Sequence, residues 1–121
     1  MNNNTVSVTI FVDTDKLTTI GEIEKAVKDK TRSAAKESMK QIFEAKEQKI
    51  LKEAKLTKKQ KVQRYLYTIF GTVRFSRYKV KDRQGKIFYA LDRALGIESQ
   101  SSFSPGLAKR IIFLCTMYPY R

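Results

Sequence analysis

The chain has 121 residues, 41% of them hydrophobic, with one cysteine, no histidine and a formal net charge of +13. That length suits one domain, no run approaches the roughly 20 apolar residues of a membrane span, and one cysteine excludes an internal disulfide. Without histidine there are no imidazole general bases, His-based triads or His-zinc sites.

The elements follow in chain order. Thr5 to Val12 alternates Val6, Val8, Ile10 and Val12 on one face and reads as a strand, broken by Asp13, Thr14 and Asp15. Thr19 and Glu22 fit a capping box that opens a proline-free helix running to about Leu56. Ile20, Ile23, Val27, Ala34, Met39, Ile42, Phe43, Ile50 and Leu51 mark its apolar stripe. At 1.5 Å per residue this rod is about 54 Å long, far more than the radius of gyration of about 14 Å for a compact domain of this size. It must break, with Thr31 to Ser33 the expected place, or project towards a partner. Val27, Met39, Ile42 and Ile50 are the candidates for self-association.

Leu56 to Lys61 reads as a basic linker. Three strands follow, Arg64 to Phe70, Thr72 to Lys81 and Lys86 to Leu91, with a turn at Gly71 and a hairpin loop at Asp82 to Gly85. Val73 and Phe75 share one face while Tyr78 and Val80 have the opposite parity, so a bulge near Ser76 and Arg77 is expected to bring all four inward. Asp92 is expected to cap a short helical turn over Arg93 to Leu95, closed by Gly96. Ser104 and Pro105 open a final helix to about Met117, buried through Leu107, Ile111, Leu114 and Cys115 and stopped by Pro119. The expected fold class is α+β: residues 1–16 form a strand and turn, 17–56 a long helix, and 57–121 a basic hairpin sheet with a closing helix, packed as one domain.

The charge is uneven. Residues 1–60 carry thirteen basic and nine acidic side chains, whereas residues 61–121 carry twelve basic and three acidic. A one-signed field attracts polyanions, nucleic acid first and an acidic membrane surface second. Arg64, Arg74, Arg77, Lys79, Lys81, Arg83 and Lys86 lie on the strands or in the hairpin, where antiparallel pairing can gather them into a patch the size of a few phosphates. Arginines on such a ribbon can also fork onto guanine edges. No phosphate-cradling GxxxxGK[ST] or GxGxxG occurs, and Asp82 and Asp92 suit a turn and a helix start rather than a metal site. The chain is therefore expected to be non-catalytic, with no cofactor, metal or small-molecule substrate.

Thr68, Phe70, Gly71, Val73, Phe75, Arg77 and Tyr78, then Gly85, Tyr89, Leu91, Asp92, Leu95, Gly96 and Ile97, then Ser104 to Leu107 follow one another in a recognisable order. That order, preceded by the Glu22 to Lys25 helix opening, resembles the amino-terminal region of ISLre-type bacterial insertion-sequence transposases, a group that also carries an uncharacterised-protein-family label. The resemblance covers about residues 17–112. Ser76 and Lys79 depart from it, since members often have a further basic residue and a tyrosine there. The resemblance implies binding of double-stranded DNA at element ends, with a homodimer or a full-length transposase as partner and nucleoid association; the lone cysteine and a start without a signal-peptide pattern point to a cytoplasmic location. It also implies truncation before an acidic-triad nuclease domain, so no catalytic carboxylate carries over. Two alternatives stand beside it: an RNA-binding basic protein, and a helix-mediated inhibitor fragment of a transposase.

Overall fold

The computed structural model describes residues 5–97 and 102–117. A single 3-10 turn, Thr14–Lys16, precedes helix α1 (Ile20–Ala54). Strands β1 (Thr57–Thr68), β2 (Gly71–Lys81) and β3 (Ile87–Tyr89) form an antiparallel sheet in the order β1-β2-β3. Helix α2 (Ala90–Leu95) and helix α3 (Pro105–Met117) complete an α+β architecture. Among the described residues no helix is long and apolar enough to cross a membrane.

Helix α1 starts where its capping residues dictate. Thr19 Oγ1 accepts the amide of Glu22 at 3.2 Å, while the Glu22 carboxylate reaches back to Thr18 rather than to Thr19. The helix runs unbroken through Thr31 to Ser33 for 35 residues, about 52 Å. Most side chains from Ile20 to Glu37 are exposed, so the rod projects instead of breaking. Its second half is anchored through Met39, Phe43, Glu47 and Ile50, three or four residues apart on one face. Phe43 meets Phe75 with ring centroids 4.8 Å apart, and Leu66, Val73 and Leu91 close the cluster.

Residues 5–13 form no strand, contrary to the alternation of their valines. Val6, Val8 and Val12 are half-buried and the rest of the segment is exposed; Val6 lines a cavity of about 650 Å³ beside Ile42 and Lys49 of α1, but no strand in the described sheet pairs with it. The supposed linker is also corrected: β1 begins at Thr57, so Lys58, Lys59 and Lys61 are strand residues. No proline or glycine interrupts residues 57–68, and an exposed edge strand tolerates a polar half.

The turn between β1 and β2 is held by Thr68, whose hydroxyl donates to the Gly71 carbonyl and accepts the Phe70 amide. Gly71 has φ +108°, a conformation side-chain-bearing residues rarely adopt. The Asp82 to Gly85 hairpin forms as the sequence suggests, with Asp82 Oδ1 accepting the amides of Gln84 and Lys86. The bulge lies elsewhere than expected. Pairing is regular through Ser76 and Arg77, and the register shifts in β1 between Lys58 and Gln60. Val73, Phe75 and Arg77 keep one parity, all buried, and Val80 is buried on the other.

Strand β3 stops at Tyr89, so Leu91 is helical and wholly buried within α2. Gly96 closes that helix in the left-handed conformation, but Asp92 sits inside its first turn and is not its cap. Ser104 does cap α3, its hydroxyl accepting the Leu107 amide. Ile111 and Leu114 are exposed, not buried, because α3 meets the body mainly through β1, with Ser102 and Ser104 bonded to the Tyr67 backbone. The Cys115 side chain and Pro119 lie outside the described residues.

Candidate nucleic-acid interface

The seven candidate cations divide into three groups. Arg77 is buried and Arg64 half-buried. Both turn inward because they occupy inward-phased positions on neighbouring strands, where the Asp92 carboxylate meets them. Arg64 NH1 lies 2.8 Å from Asp92 Oδ2, and Arg77 donates to the same carboxylate from Nε at 3.3 Å and NH2 at 3.2 Å. Arg77 NH1 also bonds the carbonyls of Val62 and Gln63, and its guanidinium stacks 3.9 Å from the centroid of Tyr89. The three side chains are only 7–10% exposed. Both guanidiniums are thus engaged by Asp92 and largely shielded from solvent, unlike the other candidate cations.

Arg74 stands apart. It is exposed near the Gly71 turn, with its guanidinium 4.7 Å from the Tyr65 ring centroid. At 3.3 Å per residue, it is about 23 Å along β2 from Lys81.

Lys79, Lys81, Arg83 and Lys86 do come together, at the end of the ribbon opposite Gly71. The register sets Gln60 against Lys79, Lys58 against Val80 and Thr57 against Lys81, and Lys81 pairs onward with Ile87. Lys58, Lys59 and Lys61 therefore belong to the same end, as strand residues and not as part of a linker. Their signal was the uninterrupted run from Thr57 to Thr68. The ammonium groups of Lys58 and Lys61 lie 5.0 and 5.6 Å from the Tyr78 ring, on the face opposite Lys79, whose own ammonium lies 5.8 Å from the Tyr89 ring. Cations thus rim both faces of one ribbon tip. The C-terminal end of α1 joins it, since Lys55 and Arg83 line a common cavity of about 280 Å³. Neither β1 nor β2 contains an aspartate or glutamate, so little within the sheet neutralises this tip.

Two acids of α1, Glu44 and Glu47, border its Lys58 and Lys61 side. Glu47 is buried and accepts the Tyr78 backbone amide at 2.8 Å. Burial pushes its pKa up from the ordinary value of 4.5, against the lowering effects of that hydrogen bond and of nearby Lys61; Asp92 adds to the rise, and Arg77 opposes it. Of the self-association candidates, Met39 and Ile50 pack against the core, whereas Val27 and Ile42 remain exposed. Among the described residues, no group of three or more Cys, Asp or Glu side chains converges as a metal site would.

A curated protein from Streptococcus gallolyticus, described as "UPF0236 protein in vanSb 3'region", is 34% identical over 53 residues. The match spans 44% of this chain and only 12% of that protein, so the chain represents a small part of its relative's length. No solved structure matches. The profile of UPF0236, an uncharacterised protein family, matches residues 13–117, and the chain therefore belongs to that family.

Proposed function

We propose that the chain is a non-catalytic, double-stranded-DNA-binding portion of an insertion-sequence transposase, acting on the terminal inverted repeats of its element. The observation that carries the binding is the cationic ribbon tip: Lys58, Lys59, Lys61, Lys79, Lys81, Arg83 and Lys86 gathered by the β1–β2 register and the Asp82 hairpin. A two-stranded ribbon fits the major groove of B-form DNA, and cations on both of its faces would meet the phosphates flanking that groove. The transposase context rests on the ordered motifs from Thr68 to Leu107 and their resemblance to that family's amino-terminal region.

The test is duplex binding measured against salt. Affinity should fall steeply as salt rises, and the combined Lys81→Ala, Arg83→Ala and Lys86→Ala variant should flatten the slope by about one unit per lost phosphate contact. Binding that keeps its full slope in the variant overturns the tip. Preference for a folded RNA over duplex DNA at matched salt would move the reading to RNA.

A further inference from the structure

The face of the β1–β2 ribbon turned away from the hydrophobic core carries a second arrangement. The register sets Lys61 opposite Tyr78, Gln63 opposite Ser76, Tyr65 opposite Arg74 and Tyr67 opposite Thr72. Residues directly opposite in an antiparallel pair share a face, and alternate residues along a strand repeat about every 6.6 Å, so these pairs form one strip about 20 Å long. Two of its aromatic rings carry a cation: Tyr78 has Lys58 and Lys61, and Tyr65 has Arg74 at 4.7 Å. The third, Tyr67, has the Phe103 ring at 5.6 Å. Tyr65 and Tyr67 remain 47% and 45% exposed. At the Tyr78 end, α1 walls the strip into a groove of about 510 Å³, with Lys52 added to its lining.

Partly covered tyrosines of a half-buried sheet would be unremarkable singly. Here the exposed rings lie in a row, their flanking charges are cations, and both strands lack acids. The acids at the groove end are Glu44 and Glu47 of α1, and the Glu47 carboxylate is engaged by the Tyr78 amide. Rows of exposed aromatics beside cations are the chemistry that holds unpaired nucleotides: every base has a π face, and each phosphate seeks a positive charge. A rigid duplex does not offer its base faces to such a strip.

We propose that this strip binds an unpaired stretch of nucleic acid, with bases stacked on Tyr65 and Tyr67 and phosphates paired with Arg74 and Lys61. It shares with the function proposed above the assumption of a nucleic-acid partner, and it meets the tip at Lys58 and Lys61, while Tyr65, Tyr67 and Arg74 lie outside the tip. The experiment is fluorescence anisotropy of the full chain with a labelled oligo-dT strand of about 12 nucleotides, the matching oligo-U strand and a duplex of the same length. Tyr65→Leu with Tyr67→Leu should weaken single-strand binding by about tenfold or more while duplex affinity stays within about twofold. Tyr65→Phe, which keeps the ring, should retain single-strand binding. The Lys81, Arg83 and Lys86 variant should lose more duplex than single-strand affinity. Tighter binding of oligo-U than oligo-dT identifies RNA as the natural source of the strand. If duplex binding fails but tyrosine-dependent single-strand binding persists, the strip stands and the tip falls. Absent single-strand binding at micromolar protein, or equal binding by the leucine variant, overturns the strip.

Discussion

Replacing Asp92 by alanine tests whether Arg64 and Arg77 hold the fold together. Asp92 accepts hydrogen bonds from Arg64 NH1 and from Nε and NH2 of Arg77, with all three side chains at most 10% exposed. Removing the carboxylate leaves two guanidiniums facing one another without their anion. Loss of one partner from a buried ion pair costs about 3–5 kcal/mol. Arg77 retains its bonds to the Val62 and Gln63 carbonyls, which argues for the lower half of that range. For a domain whose total stability is about 5–15 kcal/mol, such a loss is severe. Urea denaturation followed by circular dichroism should show a lower midpoint with an unchanged slope. Arg74→Ala should change stability by less than about 1 kcal/mol, since its stacking on Tyr65 is exposed. Replacing Arg64, Arg77 and Asp92 together by apolar residues of similar volume should recover much of the loss. A loss below about 1 kcal/mol in the alanine variant would refute the buried-ion argument.

Glu47 supplies a pH-dependent prediction. Because burial raises its folded pKa above the unfolded value, the folded state binds more protons in the window just above pH 4.5, so this group's contribution to stability falls as pH rises through that window. Glu47→Gln keeps an oxygen for the Tyr78 amide and removes the titration, so its melting temperature relative to the native chain should be highest near neutral pH and converge towards pH 4. Parallel melting curves across that range would count against it. Phe43→Ala should cost about 3–5 kcal/mol by emptying the space beneath α1, whereas Val27→Ala on the projecting half should cost well under 1 kcal/mol; equal losses in thermal melts would contradict the anchoring of α1 by its second half alone.

Single-letter patterns carried the elements well where their physics is local. The helix start depends on Thr19 and Glu22, the hairpin on Asp82 and Gly85, and the α3 start on Ser104 and Pro105; each is a hydrogen bond or a backbone preference within a few residues. The errors came where a long-range partner decides. Val6 to Val12 alternates like a strand but pairs with none. Leu56 to Lys61 looks like a linker because lysines carry no apolar rhythm, yet β2 pairs with Thr57, Lys58, Gln60 and Lys61. At Val73, Phe75 and Arg77 the alternation was intact. A bulge is needed only if Tyr78 and Val80 must share that face; they keep the opposite parity instead, and Arg64 takes the inward position before Leu66 because Asp92 meets it there.

From the residues alone came the α+β class, the long helix, the excess of positive charge in the second half and the family resemblance, because propensity, capping and charge are properties of short segments. Only the tertiary structure decided which cations are available. Asp92, fifteen residues beyond Arg77 and twenty-eight beyond Arg64, draws both guanidiniums inward, and strand pairing collects Lys58 to Lys61 with Lys79 to Lys86 at one tip while leaving Arg74 beside the tyrosines. Coulombic pairing and sheet register act across space, and a one-dimensional chain of letters records neither until the strands have met.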